Sequence, residues 1–142
     1  MKEGVCLARC LVIGVAMVLL LSGCTKGGGK KVAVKGRVVD GGRPVTVPAD
    51  LPPGDPGIRV IFLSADREMK KAGEAYNAVV NPQDGTFEVK DIPPGKYRIA
   101  VSVGAFGTPD KYGDKFSQDN SQIVRDVKGG EDIVIDLAKP TG

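Results

Sequence analysis

The clearest pattern in the chain is the alternation of apolar and polar positions across residues 84–103, DGTFEVKDIPPGKYRIAVSV. Phe87 and Val89 alternate with Glu88 and Lys90, the period of a half-buried strand. Tyr97, Ile99, Val101 and Val103 then alternate with Lys96, Arg98, Ala100 and Ser102, which predicts a second strand with one apolar face. Asp84-Gly85 supplies a tight turn before the first of these strands. Pro93-Pro94-Gly95 reverses the chain between them, because neither proline can donate to a ladder. The stretch reads as a hairpin whose apolar face the rest of the chain has to cover.

The same period recurs on both sides. Residues 32–39, VAVKGRVV, place Val32, Val34 and Val38 on one face and Lys35 and Arg37 on the other. Residues 58–65, IRVIFLSA, are apolar on both faces and predict a central strand. Residues 74–80, EAYNAVV, predict a further strand, and residues 122–127 and 132–137 predict two more around Lys128-Gly129-Gly130-Glu131. Seven short strands joined by turns make the expected fold all-β, a seven-stranded antiparallel β-sandwich over residues 32–138 with a short tail at 139–142. Three connections stand out. The proline-rich loop 46–57 has to run along an edge or over one end. The charged segment 66–73 has room for one helical turn. Residues 104–120, GAFGTPDKYGDKFSQDN, lose the alternation altogether, and loops of that length in compact domains usually carry function.

The first residues follow a different rule. Lys2 and Arg9 flank a basic start, and residues 10–21, CLVIGVAMVLLL, form an apolar run too short for a spanning helix of about 20 residues but right for the apolar region of a secretory signal. Leu21-Ser22-Gly23-Cys24 directly after it resembles the bacterial lipobox. That resemblance implies a signal peptide over residues 1–23, cleavage before Cys24 and acylation of Cys24, so that the mature chain would be held in the lipid bilayer. Each buried methylene contributes about 0.8 kcal/mol, so two or three acyl chains anchor far more firmly than one. Residues 24–31 would then be the lipidated cysteine and a flexible glycine-lysine tether. Thr25 after the cysteine, in place of an aspartate, favours outer-membrane delivery by the enteric sorting rule.

Composition narrows the chemistry. The 142 residues allow one domain, and 20 glycines with 10 prolines suit strands and turns better than a helical bundle. A net charge of +3, with basic and acidic residues interspersed, argues against nucleic acid as a partner. The three cysteines, Cys6, Cys10 and Cys24, all precede the strand region, so no disulfide framework is available to it. Histidine is absent, which removes the usual base of hydrolases and the usual ligand of zinc and non-haem iron. A Ser-His-Asp or Cys-His arrangement cannot be built, and no S-x-x-K motif supports Ser-Lys catalysis. Asp110, Asp114 and Asp119 lack EF-hand spacing and read as a solvated acidic loop; Asp50, Asp55 and Asp66 are scattered. No cofactor, metal site or catalytic residue is expected.

Three aromatics, Phe106, Tyr112 and Phe116, stand in the long polar loop of a chain with only seven phenylalanines and tyrosines. Two readings are open: they fold back to cap the end of the sandwich, or they form a contact surface for an envelope protein or a glycan. Tyr97 is expected in the core with its hydroxyl at the rim.

VKGRVVDGGRPV, a buried strand, and then NPQDGTFEVKDIPPGKYRIAV together resemble the carboxypeptidase regulatory-like domain, a transthyretin-like sandwich. The resemblance spans residues 32–137 and rests on Gly36, Pro44, Asp84, Gly85, Phe87, Pro93, Gly95 and Tyr97. Pro109-Asp110-Lys111-Tyr112 before a late acidic strand is similar to small planctomycete lipoproteins of this type. These are turn and packing residues, so what they imply is a fold, with activity left open. The expectation is a lipid-anchored, non-catalytic binding or scaffolding module of the cell envelope. The alternatives are an accessory subunit of an envelope transport or assembly complex, joined by strand addition, and a metal-dependent envelope module.

Overall fold

A computed structural model describes residues 30–65 and 74–140. Leu21, Ser22, Gly23 and Cys24, and the helical turn expected within 66–73, lie outside the described residues. Among the described residues the strands are β1 (Val32–Asp40), β2 (Arg43–Pro44), β3 (Ile58–Ser64), β4 (Ala75–Asn77), β5 (Val79–Val80), β6 (Thr86–Ile92), β7 (Gly95–Val103), β8 (Val124–Val127) and β9 (Asp132–Asp136). One sheet runs β2-β1-β6-β5, with β9 on the other side of β1 from β6; the second runs β4-β3-β7-β8.

The two sheets meet through the faces that the alternation marks as apolar. Val34 and Val38 of β1 and Phe87 and Val89 of β6 are buried against Ile58, Val60 and Phe62 of β3 and Tyr97, Ile99 and Val101 of β7. Phe62 and Phe87 touch across the sheets with ring centroids 6.0 Å apart, and Phe62 packs edge-on to Tyr97 at 6.1 Å. Tyr97 is fully buried, and its hydroxyl donates to the Pro93 carbonyl at 2.7 Å, so the polar atom is satisfied as the ring packs.

The neighbours of these strands differ from a simple meander. Residues 84–103 are not a hairpin: β6 pairs with β1 and β5, and β7 pairs with β3 and β8. Pro93-Pro94 instead carries the chain from one sheet to the other, since prolines supply no N–H to close a hairpin. The change of direction begins with a bulge. Val34 pairs with Val89 while Val32 pairs with Ile92, so the extra residue lies at Lys90-Asp91, where Asp91 has φ 56°. Lys90 and Asp91 are both exposed, and the bulge returns Ile92 to the core.

The strand expected over 74–80 is two strands in different sheets. Tyr76 pairs with Phe62 in one, and Val80 pairs with Phe87 in the other. Ala78 marks the crossing, its N–H donating to the Val60 carbonyl at 2.9 Å. A sandwich corner of this kind keeps the period-2 pattern unbroken while the hydrogen-bond partner changes. With the added two-residue strand β2, this one split accounts for nine strands where seven are expected.

The last two strands also lie in different sheets. β8 is antiparallel to β7, whereas β9 runs parallel to β1 from Lys35↔Asp132 to Val39↔Asp136, so the sandwich is antiparallel except for this ladder. Gly129 and Gly130, with φ of 104° and 82°, make the crossing, and a side chain at Gly129 would strike Val32.

Candidate functional site

The long loop 104–120 closes one end of the sandwich. β1 runs toward this end, where Gly41 and Gly42, both at positive φ, turn the chain tightly into β2. β3 begins and β7 finishes there, paired at Ile58↔Val103. The loop is tied down along its length. Gly104 N–H donates to the Gly57 carbonyl at 2.8 Å, and Lys111 N–H returns to the Val103 carbonyl at 2.7 Å. The Asp110 carboxylate accepts from Val103 N–H and Tyr112 N–H at 2.9 and 2.8 Å.

The three loop aromatics separate into two roles. Phe116, in a 3-10 turn over Gly113–Phe116, is buried at 2 % exposure and belongs to the core cluster. Tyr112 is half-buried, stands edge-on to Phe116 at 5.7 Å, and donates its hydroxyl to Asp40 Oδ2 at 2.7 Å. Burial and the Asp40 acceptor together push the Tyr112 phenol well above its usual range. These two cap the sandwich end. Phe106 does not: it is 86 % exposed.

Phe106 is nevertheless held in place. Its N–H donates to Asp55 Oδ2 at 2.6 Å, while Asp55 Oδ1 accepts from Gly57 N–H at 2.9 Å. Arg59 lies 3.5 Å from the same carboxylate, and its guanidinium carbon sits 5.9 Å from the centroid of the Phe106 ring. The other guanidinium donors go to Ser102 Oγ and the Gly104 carbonyl, each at 3.2 Å. The N–H groups of Gly57 and Phe106, with the Arg59 charge behind them, hold the Asp55 carboxyl below its ordinary value despite the opposing effect of burial.

Beside Phe106 the outer face of β3 and β7 forms a groove of about 390 Å³. Ile61 and Ala100, register partners on the two strands, line it, with Asp114, Ser117 and Gln118 from the far side of the loop. A wider depression of about 740 Å³ lies on the outer face of the other sheet, lined by Lys35, Thr86, Glu88 and Asp132 with Val79 exposed beside them. Size does not favour the wider one. It is an open face of solvated strand residues, while the smaller groove has an apolar floor, a fastened aromatic and a polar rim, the combination that binding sites use.

Asp55 and Arg59 do not stand out in the sequence as site residues. The available signals are local: Asp55-Pro56-Gly57 has the form of a carboxylate capping a turn two residues on, and Arg59 is the one charge in the apolar strand IRVIFLS. Among the described residues no group of three or more acidic or cysteine side chains is placed to hold a metal ion. Comparison with protein-family models, curated proteins and solved structures finds no match to this chain.

Proposed function

We propose that the chain is a lipid-anchored, non-catalytic β-sandwich of the carboxypeptidase regulatory-like, transthyretin-like type, serving as a binding module of the bacterial cell envelope. The observation that carries this reading is the placement of Phe106. The tether enters the domain at Val32, and β1 runs nine residues, about 26 Å, to the end where Phe106 is displayed. A chain held through Cys24 would therefore present its one strongly exposed aromatic on the far side from the bilayer.

The motif residues behind the resemblance have structural work that fits it. Gly36 lies under the Phe87 ring, Gly85 lies against the Val38 carbonyl, and the Tyr97 hydroxyl closes on Pro93. The non-catalytic part of the reading rests on the missing histidines and on acylation of the cysteine that would remain after processing.

The test is photo-crosslinking in native membranes, with p-benzoylphenylalanine at position 106 of the full-length lipoprotein and, for comparison, at position 79. A discrete protein or glycan adduct specific to position 106 is expected. Equal background at both positions would overturn the reading.

A further inference from the structure

We infer that the groove beside Phe106 is a subsite for a neutral glycan, with one pyranose ring lying against the phenyl face; this rests on the binding-module reading above. Three features of the groove select that chemistry.

The first is its shape and lining. A pyranose has C–H-rich faces and a rim of hydroxyls, so it needs an apolar plate with hydrogen-bonding groups around it. Here the plate is Phe106 together with Ile61 and Ala100, and the rim carries the Asp114 carboxylate and the Gln118 amide. Neither of those two side chains has a hydrogen-bond or ion-pair partner among the described residues, so both are available to a ligand. At about 390 Å³ the groove falls within the range of small-ligand sites, about 300–1,000 Å³.

The second is charge. Among the described residues the only cation lining the groove, Arg59, is already engaged by Asp55, Ser102, Gly104 and the Phe106 ring. Asp110 and Asp114 also line it. Their field opposes a carboxylate or phosphate ligand. A lipid chain is disfavoured in turn, because the apolar lining is limited to Phe106, Phe116, Ile61, Ala100 and Val101. That lining is broken up by Arg59, Ser102, Asp110, Asp114, Ser117 and Gln118, which leaves no continuous apolar track for an acyl chain.

The third is rigidity. An exposed phenyl on a free loop would lose freedom on stacking, and the affinity would fall accordingly. The Asp55 bond to Phe106 N–H holds the backbone that carries the plate, and the Arg59 guanidinium lies 5.9 Å from the ring centroid, so less freedom is left to lose when a ligand arrives.

The experiment is affinity electrophoresis of the detergent-solubilised full-length protein in native gels cast with pullulan, mixed-linkage β-glucan, galactomannan or xylan, alongside titration with N-acetylglucosamine oligomers. At least one probe should bind, Phe106→Ala should weaken that binding at least about tenfold, and Phe106→Trp should retain it. Val79→Ser, on the other sheet, should leave it unchanged. Unchanged thermal unfolding of Phe106→Ala shows that the variant is folded. No binding to any probe, or binding that Phe106→Ala leaves intact, overturns the inference. A protein adduct at position 106 without glycan binding also overturns it while leaving the binding-module reading standing.

Discussion

The phenol of Tyr112 reaches back to Asp40 at the end of β1, a 2.7 Å hydrogen bond between residues 72 positions apart in the chain. It joins the long loop to the first strand and lies beside the ring contact with Phe116. Replacing Tyr112 with phenylalanine keeps the ring and removes the bond, so the expected cost is about 1 kcal/mol, or about 4 °C in Tm for a domain of this size. Urea and thermal unfolding of the two proteins measure it.

The same bond gives the fold an alkaline limit. Tyr112 is held protonated above the ordinary phenol range by burial and Asp40, and Tyr76 is pushed up to about 12 by burial and its bond to Glu74. A raised folded-state pKa means that this stabilisation is complete below the unfolded value of about 10 and is lost as pH rises through the folded value. Wild type should therefore lose stability above pH 10 more steeply than Tyr112→Phe. Parallel slopes in urea titrations from pH 9 to 12 would contradict this.

In acid the sign reverses. Asp55 is lowered by the N–H groups of Gly57 and Phe106, and Asp84 by the hydroxyl and N–H of Thr86. Burial pushes Glu131 up, but the N–H groups around its turn, those of Gly129 and Lys128 among them, outweigh it and leave it lowered. Depressed carboxylates contribute stability that is present above about pH 4 and lost as pH falls through the folded values. Asp55→Asn should flatten part of that loss, and at neutral pH it should speed amide hydrogen exchange at Phe106, whose N–H would then face an amide in place of a carboxylate.

Gly36 and Gly41 separate two reasons for glycine. A Cβ on Gly36 would collide with the Ile133 carbonyl and the Phe87 ring, whereas one on Gly41 meets nothing but strains a backbone at φ 60°. Gly36→Ala should cost about 3 kcal/mol, the upper part of the overpacking range, and Gly41→Ala about 1–2 kcal/mol. Denaturant midpoints rank them; the reverse order would mean that β9 yields more easily than the tight turn.

Ahead of the strand region, Cys24→Ala should abolish fatty-acid labelling and leave the unprocessed precursor in the cell. Labelling that persists in this variant would remove the lipobox assignment.

Which face of β1, β6 and β7 is buried was legible in the sequence, but not that of β3, which reads as apolar on both faces and yet leaves Arg59, Ile61 and Leu63 half-exposed. Which strand lies beside which was not legible either. Tyr97, Ile99, Val101 and Val103 are all buried as their alternation requires. Yet a period of two records only burial, and it reads the same through Ala78, where the chain changes sheets, and on both sides of Pro93-Pro94. The bulge did leave a mark, two consecutive exposed residues at Lys90-Asp91 before a buried isoleucine. In the loop, nothing periodic distinguishes Phe116 from Phe106. One is drawn in by a short 3-10 turn and the other held out by Asp55, and both causes are tertiary.

The parallel register of β1 and β9 gives the domain a mechanical character. The chain enters at the start of β1 and leaves at the finish of β9, and these points lie at opposite ends of one ladder. Tension between a fixed N-terminus and a load at the C-terminus pulls the two strands past each other lengthwise. All five residue pairs from Lys35↔Asp132 to Val39↔Asp136 then bear the force together, where a hairpin pulled from its open end would yield one pair at a time. A domain wired this way resists being drawn out along its own axis.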